Sequence, residues 1–485
     1  MQYLFLTGAT GLVGRYLLRD LLAAGVPVAA MGRPGKGPAA IESIMRMWEE
    51  QAGRSLPRPV VIEGDLCLPE VVPDADQRQW VAKHCDRMLH CAASMTFRED
   101  KNGEPFRTNN GGMESILEFC RASGIRKFHH VSTAYICGLR TGWIHERDID
   151  LGQENGNVYE VSKLTAEKML RAADFLDERT IYRPASVVGD SRTGYTTSSH
   201  GFYLPLQLAY LVADKVPTHL LGERFFRLLG LRGDEGKNLV PVDWLSAAIV
   251  HLVTHPEHHG QTYHMTNPVP VTVKLIQEVV QEAIETYSSR RFTGTLSEEQ
   301  IEAYEELFRQ YMEVYRSHWR DDPLFDRANT DRALPHLPCP VIDRDMLMRI
   351  ASYPIKEKFI LKRIEQQQPG FEPHEHLRSV AAERQRSATP GGADSRSIGL
   401  EVSGRHGGQW RLTVSGGRVV DVERGLGPDD GLRYYLNSHT FSSLVEGRCS
   451  VEQSIEAGRV LVEGLDGHDR HPDFVSVLES IVTPA

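Results

Sequence analysis

The sequence predicts an α/β protein: a doubly wound parallel sheet with a small second lobe, followed by a separate α+β domain. Three observations predict it. Short apolar strands alternate with helical stretches from Tyr3 to Val131, the pattern of a parallel sheet covered on both faces. The first strand breaks into a glycine turn, Thr7-Gly8-Ala9-Thr10-Gly11-Leu12-Val13-Gly14, that opens a helix. Beyond a polar stretch at 366–394 the texture changes to alternating strands with a Ser415-Gly416-Gly417 hairpin.

The bulk numbers bound the function. The chain has 485 residues, 41% hydrophobic and 25% charged, which is ordinary for a soluble globular protein. Its formal net charge of −10 leaves no basic surplus to neutralise nucleic-acid phosphates. Seven cysteines (67, 85, 91, 120, 137, 339 and 449) show neither CxxC nor metal-ligand spacing, which fits a reducing compartment and implies no metal. The strand begins at once, without a leader-like segment, and no apolar run approaches a membrane span. The expectation is a cytoplasmic protein with no transmembrane segment.

The elements follow in order. Tyr3 to Leu6 reads as a buried strand, and Leu12 to Leu22 as a helix. Gly8 allows the turn, Gly11 lets backbone approach a pyrophosphate, and Gly14 lets the helix pack on the strand. The helix N-terminus then offers N–H groups to phosphates, so this βα unit reads as dinucleotide-binding. The second strand, Val26 to Met31, ends in Gly32-Arg33-Pro34-Gly35-Lys36 without a carboxylate to grip a ribose 2′-hydroxyl. Arg33, with Lys36, suits a 2′-phosphate instead, and the expected cofactor is NADPH; the other reading is a solvated surface arginine. Helices at 38–56 and 74–84 flank a strand at Val60 to Ile62, and Arg87 to His90 is the fourth strand.

The next strand ends Val131-Ser132-Thr133-Ala134, and some twenty residues on come Tyr159 and Lys163. Four apart, they share a helix face. A phenol has a pKa near ~10 and needs help to move protons at neutral pH; a nearby ammonium lowers it. The lysine also donates to ribose hydroxyls, and a hydroxyl from Thr133 or Ser132 holds a substrate oxygen beside the phenol. Such a set binds and protonates an oxygen while hydride arrives from a nicotinamide.

These strings, with Gly64-Asp65-Leu66 and Arg183-Pro184-Ala185-Ser186-Val187-Val188-Gly189, resemble an extended short-chain dehydrogenase/reductase of Rossmann type over roughly residues 1–285. His90-Cys91-Ala92-Ala93-Ser94-Met95-Thr96-Phe97, His130 to Tyr135 and Pro241-Val242-Asp243-Trp244 resemble the fatty acyl-CoA reductase and thioester reductase (male sterility-like) branch. The resemblance implies a catalytic set of Thr133, Tyr159 and Lys163, with Ser132 as the alternative hydroxyl. It implies phosphate contacts along Thr7, Gly8, Thr10, Gly11, Leu12, Val13 and Gly14. Asp65 and Leu66 would border the adenine, and Cys91, Ala92 and Ala93 would line the cofactor. Asn109 would hold structure near Lys163, and Pro184 and Val187 would pass under the nicotinamide. Cys137 departs from the family's pattern on the substrate side.

After Gly189 the pattern loosens. An apolar helical stretch, Gly201 to Val212, reads either as the wall of an acyl channel or as plain core. Arg224, Arg227, Arg232 and Lys237 form a basic cluster that suits phosphates of CoA or of a carrier's prosthetic arm; the other reading is a solvated face. Asp243 is placed to cap the next helix. The expected domains are a reductase at 1–365, with its substrate lobe at 190–240 and 268–365, a linker at 366–394, and a domain at 395–485. That last part resembles a sterol-carrier-protein-2-like lipid-binding domain, on Trp410-Arg411-Leu412-Thr413-Val414, Ser442 to Gly447 and Ala457 to Gly464.

Together the halves point to NADPH-dependent reduction of a fatty acyl thioester, on CoA or an acyl carrier protein, to aldehyde or alcohol. The alternatives are a 3β-hydroxysteroid or lipid-alcohol dehydrogenase, and a non-catalytic, nucleotide-sensing lipid-binding protein. By analogy with the family, a homodimer is expected.

Overall fold

The apolar run at the start of the chain forms β1 (Tyr3–Thr7), and its alternation sets the layers. Leu4 and Leu6 face one core and Phe5 the other, as the two-residue period of a strand requires. On the Leu4 side pack α1 (Leu12–Ala23) and α2 (Gly37–Ala52), through residues such as Leu17, Leu21, Ile41 and Met45. On the Phe5 side Val81 of α3 (Ala75–His84) packs with Met113, Ile116 and Phe119 of α4 (Gly112–Ser123) and Ala166 and Leu170 of α5 (Val158–Ala172). In this computed structural model the described residues are 2–221, 226–312, 317–359, 372–385, 395–403, 407–427, 432–456, 459–463 and 473–482.

The strands between these helices are β2 (Val28–Gly32), β3 (Val60–Glu63), β4 (Cys85–His90), β5 (Lys127–Val131), a short β6 (Trp143–Ile144) and β7 (Glu178–Pro184). Further on come β8 (Ser186–Val188), β9 (Gly236–Lys237), β10 (Leu239–Pro241), β11 (Thr262–Met265), β12 (Val271–Thr272) and β13 (Leu324–Phe325). Among the described residues a seven-stranded sheet forms in the order β11-β7-β5-β4-β1-β2-β3, every pair parallel. The order reverses beside β1, so a crevice opens at the carboxyl ends of β1 and β4, where ligands bind in such sheets. The doubly wound architecture agrees with the sequence reading, and β11 takes one edge of the sheet.

The chain divides into two units, Met1–Lys356 and Glu357–Ala485. In the second unit β14 (Ser395–Ser403), β15 (Gly408–Ser415), β16 (Arg418–Arg424), β17 (Leu432–Asn437) and β18 (Val460–Glu463) form a sheet in the order β16-β15-β14-β17-β18. The β15–β16 hairpin turns through Gly416 and Gly417, both at positive φ, as a two-residue loop demands.

Two expectations are corrected. The stretch 366–394 is not all linker: Pro373–Gln385 is a helix, and Leu377 and Ala381, one turn apart, enter the second unit's core. The rest of that stretch, 366–371 and 386–394, lies outside the described residues. Asp243 does not cap the helix Val242–Thr254, whose N-cap is Pro241. Two positions further in, its carboxylate accepts instead from the Ser191 N–H (2.9 Å) and hydroxyl (2.6 Å).

Candidate active site

The glycine turn is shaped by contacts that admit no side chain. Gly8 has φ +75°, and a Cβ there would stand 2.6 Å from the Ala92 nitrogen. A Cβ on Gly14 would stand 2.0 Å from the Gly8 carbonyl oxygen, so α1 crosses β1 at backbone distance. At Gly11 a Cβ meets only the Gly8 oxygen at 3.4 Å, an ordinary contact, and this position faces the cleft. Arg15 braces the turn from below, donating to the carbonyls of Thr10 (2.6 Å) and Gly11 (3.2 Å). No side chain caps α1, so its first-turn N–H groups meet the crevice.

A cleft of about 360 Å³ opens here, within the size range of small-molecule sites. Of the residues expected at the cofactor, Gly8, Gly11, Leu12, Val13, Gly14, Cys91, Ala93, Lys163, Pro184 and Val187 line it. Thr7 does not. Its hydroxyl is buried, lies 2.8 Å from His90 Nδ1 and accepts from the Cys91 and Ala92 N–H groups, tying β1 to the exit of β4. Thr10 is exposed, and Ala92 backs the turn at Gly8. Asn109 is buried and works as a latch. Its amide group exchanges hydrogen bonds with the Ser94 backbone (2.8 and 3.0 Å) and donates to Ser162 Oγ (2.8 Å), fastening the β4 exit to α5.

Arg33, Asp65 and Leu66 lie away from this cleft, at the ends of β2 and β3. Arg33 is 81% exposed and its Nε is 3.5 Å from Asp65 Oδ2. Such an exposed pair holds little energy, so the guanidinium can turn to another anion. The Gly35 N–H donates to Glu63 Oε2 at 2.8 Å. Two carboxylates, Glu63 at the end of β3 and Asp65 just beyond it, thus stand by the β2 loop, which its own sequence did not reveal. Leu66 is buried against Gly112.

Across the cleft stand the expected catalytic groups. Thr133 is extended and caps the turn Ala134–Cys137; its Oγ1 accepts from the Tyr135 N–H (3.3 Å) and donates to the Pro184 carbonyl (3.4 Å). Ser132 borders the same cleft, but its hydroxyl donates to Glu167 Oε2 (3.0 Å), part of a buried network with Arg183. That leaves Thr133 as the better placed hydroxyl. Helix α5 starts where Asn157 caps it: the Asn157 side chain accepts from the Glu160 N–H (3.0 Å), and Glu160 accepts from the Asn157 amide (2.9 Å). One turn apart on that helix, Tyr159 and Lys163 both reach the cleft.

Their electrostatics differ from the simplest expectation. Burial pushes the Tyr159 phenol well above its ordinary pKa, and the nearby Glu160 and Cys91 push the same way. Lys163 Nζ donates to the Val131 carbonyl (2.9 Å) and lies 3.5 Å from His130 Nε2, so both contacts run across the sheet. Burial lowers the Lys163 ammonium to about 8, with Cys91 and Glu167 opposing. The phenol is therefore kept neutral, ready to donate a proton rather than accept one. Cys137 is a buried thiol, pushed up to about 12 by burial and Glu160, and does not line the cleft.

The remaining wall was not legible in the sequence. Phe97, its ring 5.6 Å from Tyr159, stands beside His200 and His318. His318 belongs to a strap, residues 317–326, that lies over the site. Its Nε2 is 3.3 Å from Ser186 Oγ. Lys237, 2% exposed, pins the strap by donating to the carbonyls of His318 (2.6 Å) and Arg320 (3.1 Å) and to Asp322 Oδ1 (2.5 Å). Tyr135 donates to the other Asp322 oxygen at 2.9 Å. β13 then pairs with β6. This corrects the basic cluster. Lys237 is an internal anchor, Arg232 pairs with Asp234 (3.4 Å) and Glu235 (3.8 Å), and Arg224 lies outside the described residues. The stretch Gly201 to Val212 is helical from Tyr203; Gly201 lines the cleft, while Tyr203, Leu206, Ala209 and Tyr210 are buried.

The glycine cradle, the uncapped helix end and a lysine at the cleft floor suit a nicotinamide dinucleotide. The profile of the NAD-binding male sterility protein family matches residues 6–249. The chain belongs to that family. Membership places this male sterility family protein among NAD(P)-dependent oxidoreductases. A component of the linear gramicidin synthase of Brevibacillus parabrevis is 28% identical over 283 residues, 55% of this chain and 5% of that protein. The chain spans 5% to 36% of the length of the first curated relatives it matches. The terminal R domain of the myxalamid PKS-NRPS biosynthetic pathway shares the fold, at TM-score 0.58 and 24% identity, over 74% of this chain and 92% of that one. So does a thiolation-reductase di-domain from an archaeal non-ribosomal peptide synthetase, at TM-score 0.53 and 19% identity, over 74% and 76%. No described helix is long and apolar enough to cross a membrane.

Proposed function

We propose that the chain reduces an acyl thioester, carried on CoA or on a carrier protein, with NADPH as reductant. The observation that carries this is the convergence of Thr133, Tyr159 and Lys163 on one cleft beside the glycine cradle, under a wall that includes Phe97, Tyr135 and His318. The family supports the nicotinamide, and relatives named for thiolation-reductase and peptide-synthetase systems support a carrier-bound thioester.

When bound, the dinucleotide supplies the hydride. Gly8, Gly11 and the first turn of α1 hold its phosphates, and Lys163 faces its ribose. The Thr133 hydroxyl and Tyr159 phenol bind the substrate carbonyl oxygen, and the neutral phenol protonates it as negative charge develops there. As the tetrahedral carbon expels the thiolate, its hydroxyl returns the proton to the Tyr159 phenolate, leaving an aldehyde; a second hydride would carry it to the alcohol. Arg33 reads the 2′-phosphate. The second unit we read as a carrier of the apolar substrate, on its residue pattern alone.

The test runs NADPH oxidation with a long-chain acyl-CoA, an acyl carrier thioester and a 3-ketosteroid in parallel. Oxidation with a thioester supports the proposal; no oxidation with either thioester defeats it. Arg33→Ala separately checks the cofactor. The expected result is a loss of about tenfold or more in the preference for NADPH over NADH, the worth of one charge-assisted contact. An unchanged preference removes Arg33 from phosphate recognition.

A further inference from the structure

Behind Lys163 lies a row of polar side chains that the proposed reaction does not use. Thr7, His90 and His130 are register partners at the ends of β1, β4 and β5. Because Thr7 Oγ1 accepts from the Cys91 and Ala92 N–H groups, its own proton goes to His90 Nδ1, 2.8 Å away. The His90 and His130 rings stack at 5.5 Å, 16° from parallel. The row ends where His130 Nε2 lies 3.5 Å from Lys163 Nζ. An ammonium only donates, so Nε2 accepts, the ring is neutral, and its proton sits on Nδ1. That nitrogen is buried and makes no hydrogen bond of good geometry, although it faces the His90 backbone. A buried polar atom left so poorly paired costs stability. A phenyl ring would fill the same space without that cost.

We propose that His130 is a positioning residue for Lys163, its Nε2 holding the ammonium in place and in its charged form at the floor of the cleft. Of the other side chains that face Lys163, Cys91 and Glu167 favour its charge from a distance, but neither takes a hydrogen bond from it. Burial pushes the Cys91 thiol up to about 12 and His90 down to about 3, so both are neutral. Glu167, one turn along α5, is taken up by Arg183 and Arg171. Tyr159, one turn back, is a neutral phenol. The Val131 carbonyl holds one proton of the ammonium, and His130 is the acceptor that fixes its direction. Burial and the Lys163 charge keep His130 itself neutral.

The decisive experiment reads Lys163 directly, in the full chain carrying [ε-13C]lysine, with the signal assigned by its loss in Lys163→Met. His130→Phe should lower the titration midpoint of Lys163 by about one pH unit, because an acceptor of the charged form is gone. His130→Gln keeps an acceptor and should titrate close to wild type. An unchanged midpoint in His130→Phe overturns the proposal. If that variant does not fold, the reciprocal measurement decides: in Lys163→Met the His130 ring should titrate at higher pH than in wild type, and no shift overturns the proposal. The kinetic arm rests on the reductase reading. There His130→Phe should move the alkaline limb of kcat to lower pH with KM little changed. If wild type turns over no thioester, the reductase reading fails, while the lysine titration still decides the role of His130.

Discussion

Tyr159→Phe should lower turnover by about 10²–10⁴-fold, the usual worth of a positioned proton donor, while the protein stays folded. The substitution removes only the phenolic oxygen. The ring keeps its contact with Phe97, and α5 keeps its Asn157 cap. The kcat effect should greatly exceed the KM effect, since the proton moves only as charge develops on the substrate oxygen. The pH profile of wild type gives a linked expectation. Lys163 must be charged to serve the site, and burial places its pKa at about 8. Activity should therefore hold below that value and fall as pH rises through it. Near-normal steady-state turnover in Tyr159→Phe would remove the tyrosine from the chemistry.

The largest stability effect is expected at Arg183. Arg183 is 1% exposed and Glu167 is fully buried, and Arg183 Nη2 stands 2.5 Å from Glu167 Oε1. Arg183→Met leaves a buried carboxylate with only Arg171 and Ser132, and should cost about 3–5 kcal/mol. In wild type, burial raises the Glu167 pKa, but Arg183 and then Arg171 more than reverse this, and the net shift is downward. A lowered carboxyl adds stability above its unfolded pKa of about 4.3 and loses it as pH falls below that value. The gap between variant and wild type should thus be widest near neutrality and narrow on acidification. Removing both charges, with Arg183→Met and Glu167→Leu together, should recover a large part of the loss, because the uncompensated charge is gone. Denaturant unfolding followed by tryptophan fluorescence checks both statements. A pH-independent gap would show that packing, not charge, sets the cost.

What the sequence made legible was what is local. The strand Tyr3 to Leu6, the turn at Gly8 and Gly14, and the Tyr159/Lys163 pair each lie within one or two turns of chain, where period and spacing carry the information. The hairpin at Gly416-Gly417 is of the same kind. The strap over the cleft was not legible, because it depends on Lys237 meeting Asp322, far along the chain, and on His318 reaching Ser186. A lysine in a run of charges looks like surface; only the fold shows it buried. The helix Pro373–Gln385 was hidden for a similar reason: Leu377, Val380 and Ala381 form a narrow stripe within an otherwise polar stretch. Thr7 and Asn109 were found by motif, but the structure gives them framework contacts that no motif specifies.

The central claim is that this cleft delivers hydride to the carbonyl carbon of a thioester. Stereospecifically labelled [4-2H]NADPH, incubated with wild type and a long-chain acyl thioester, tests it, with the product carbon examined by mass spectrometry. The account predicts one deuterium on C1 of the released aldehyde, or two on C1 of the alcohol if reduction continues, and no transfer in Tyr159→Phe on the same timescale. No deuterium in any thioester product, while a 3-ketosteroid incubated in parallel takes up the label, would contradict it.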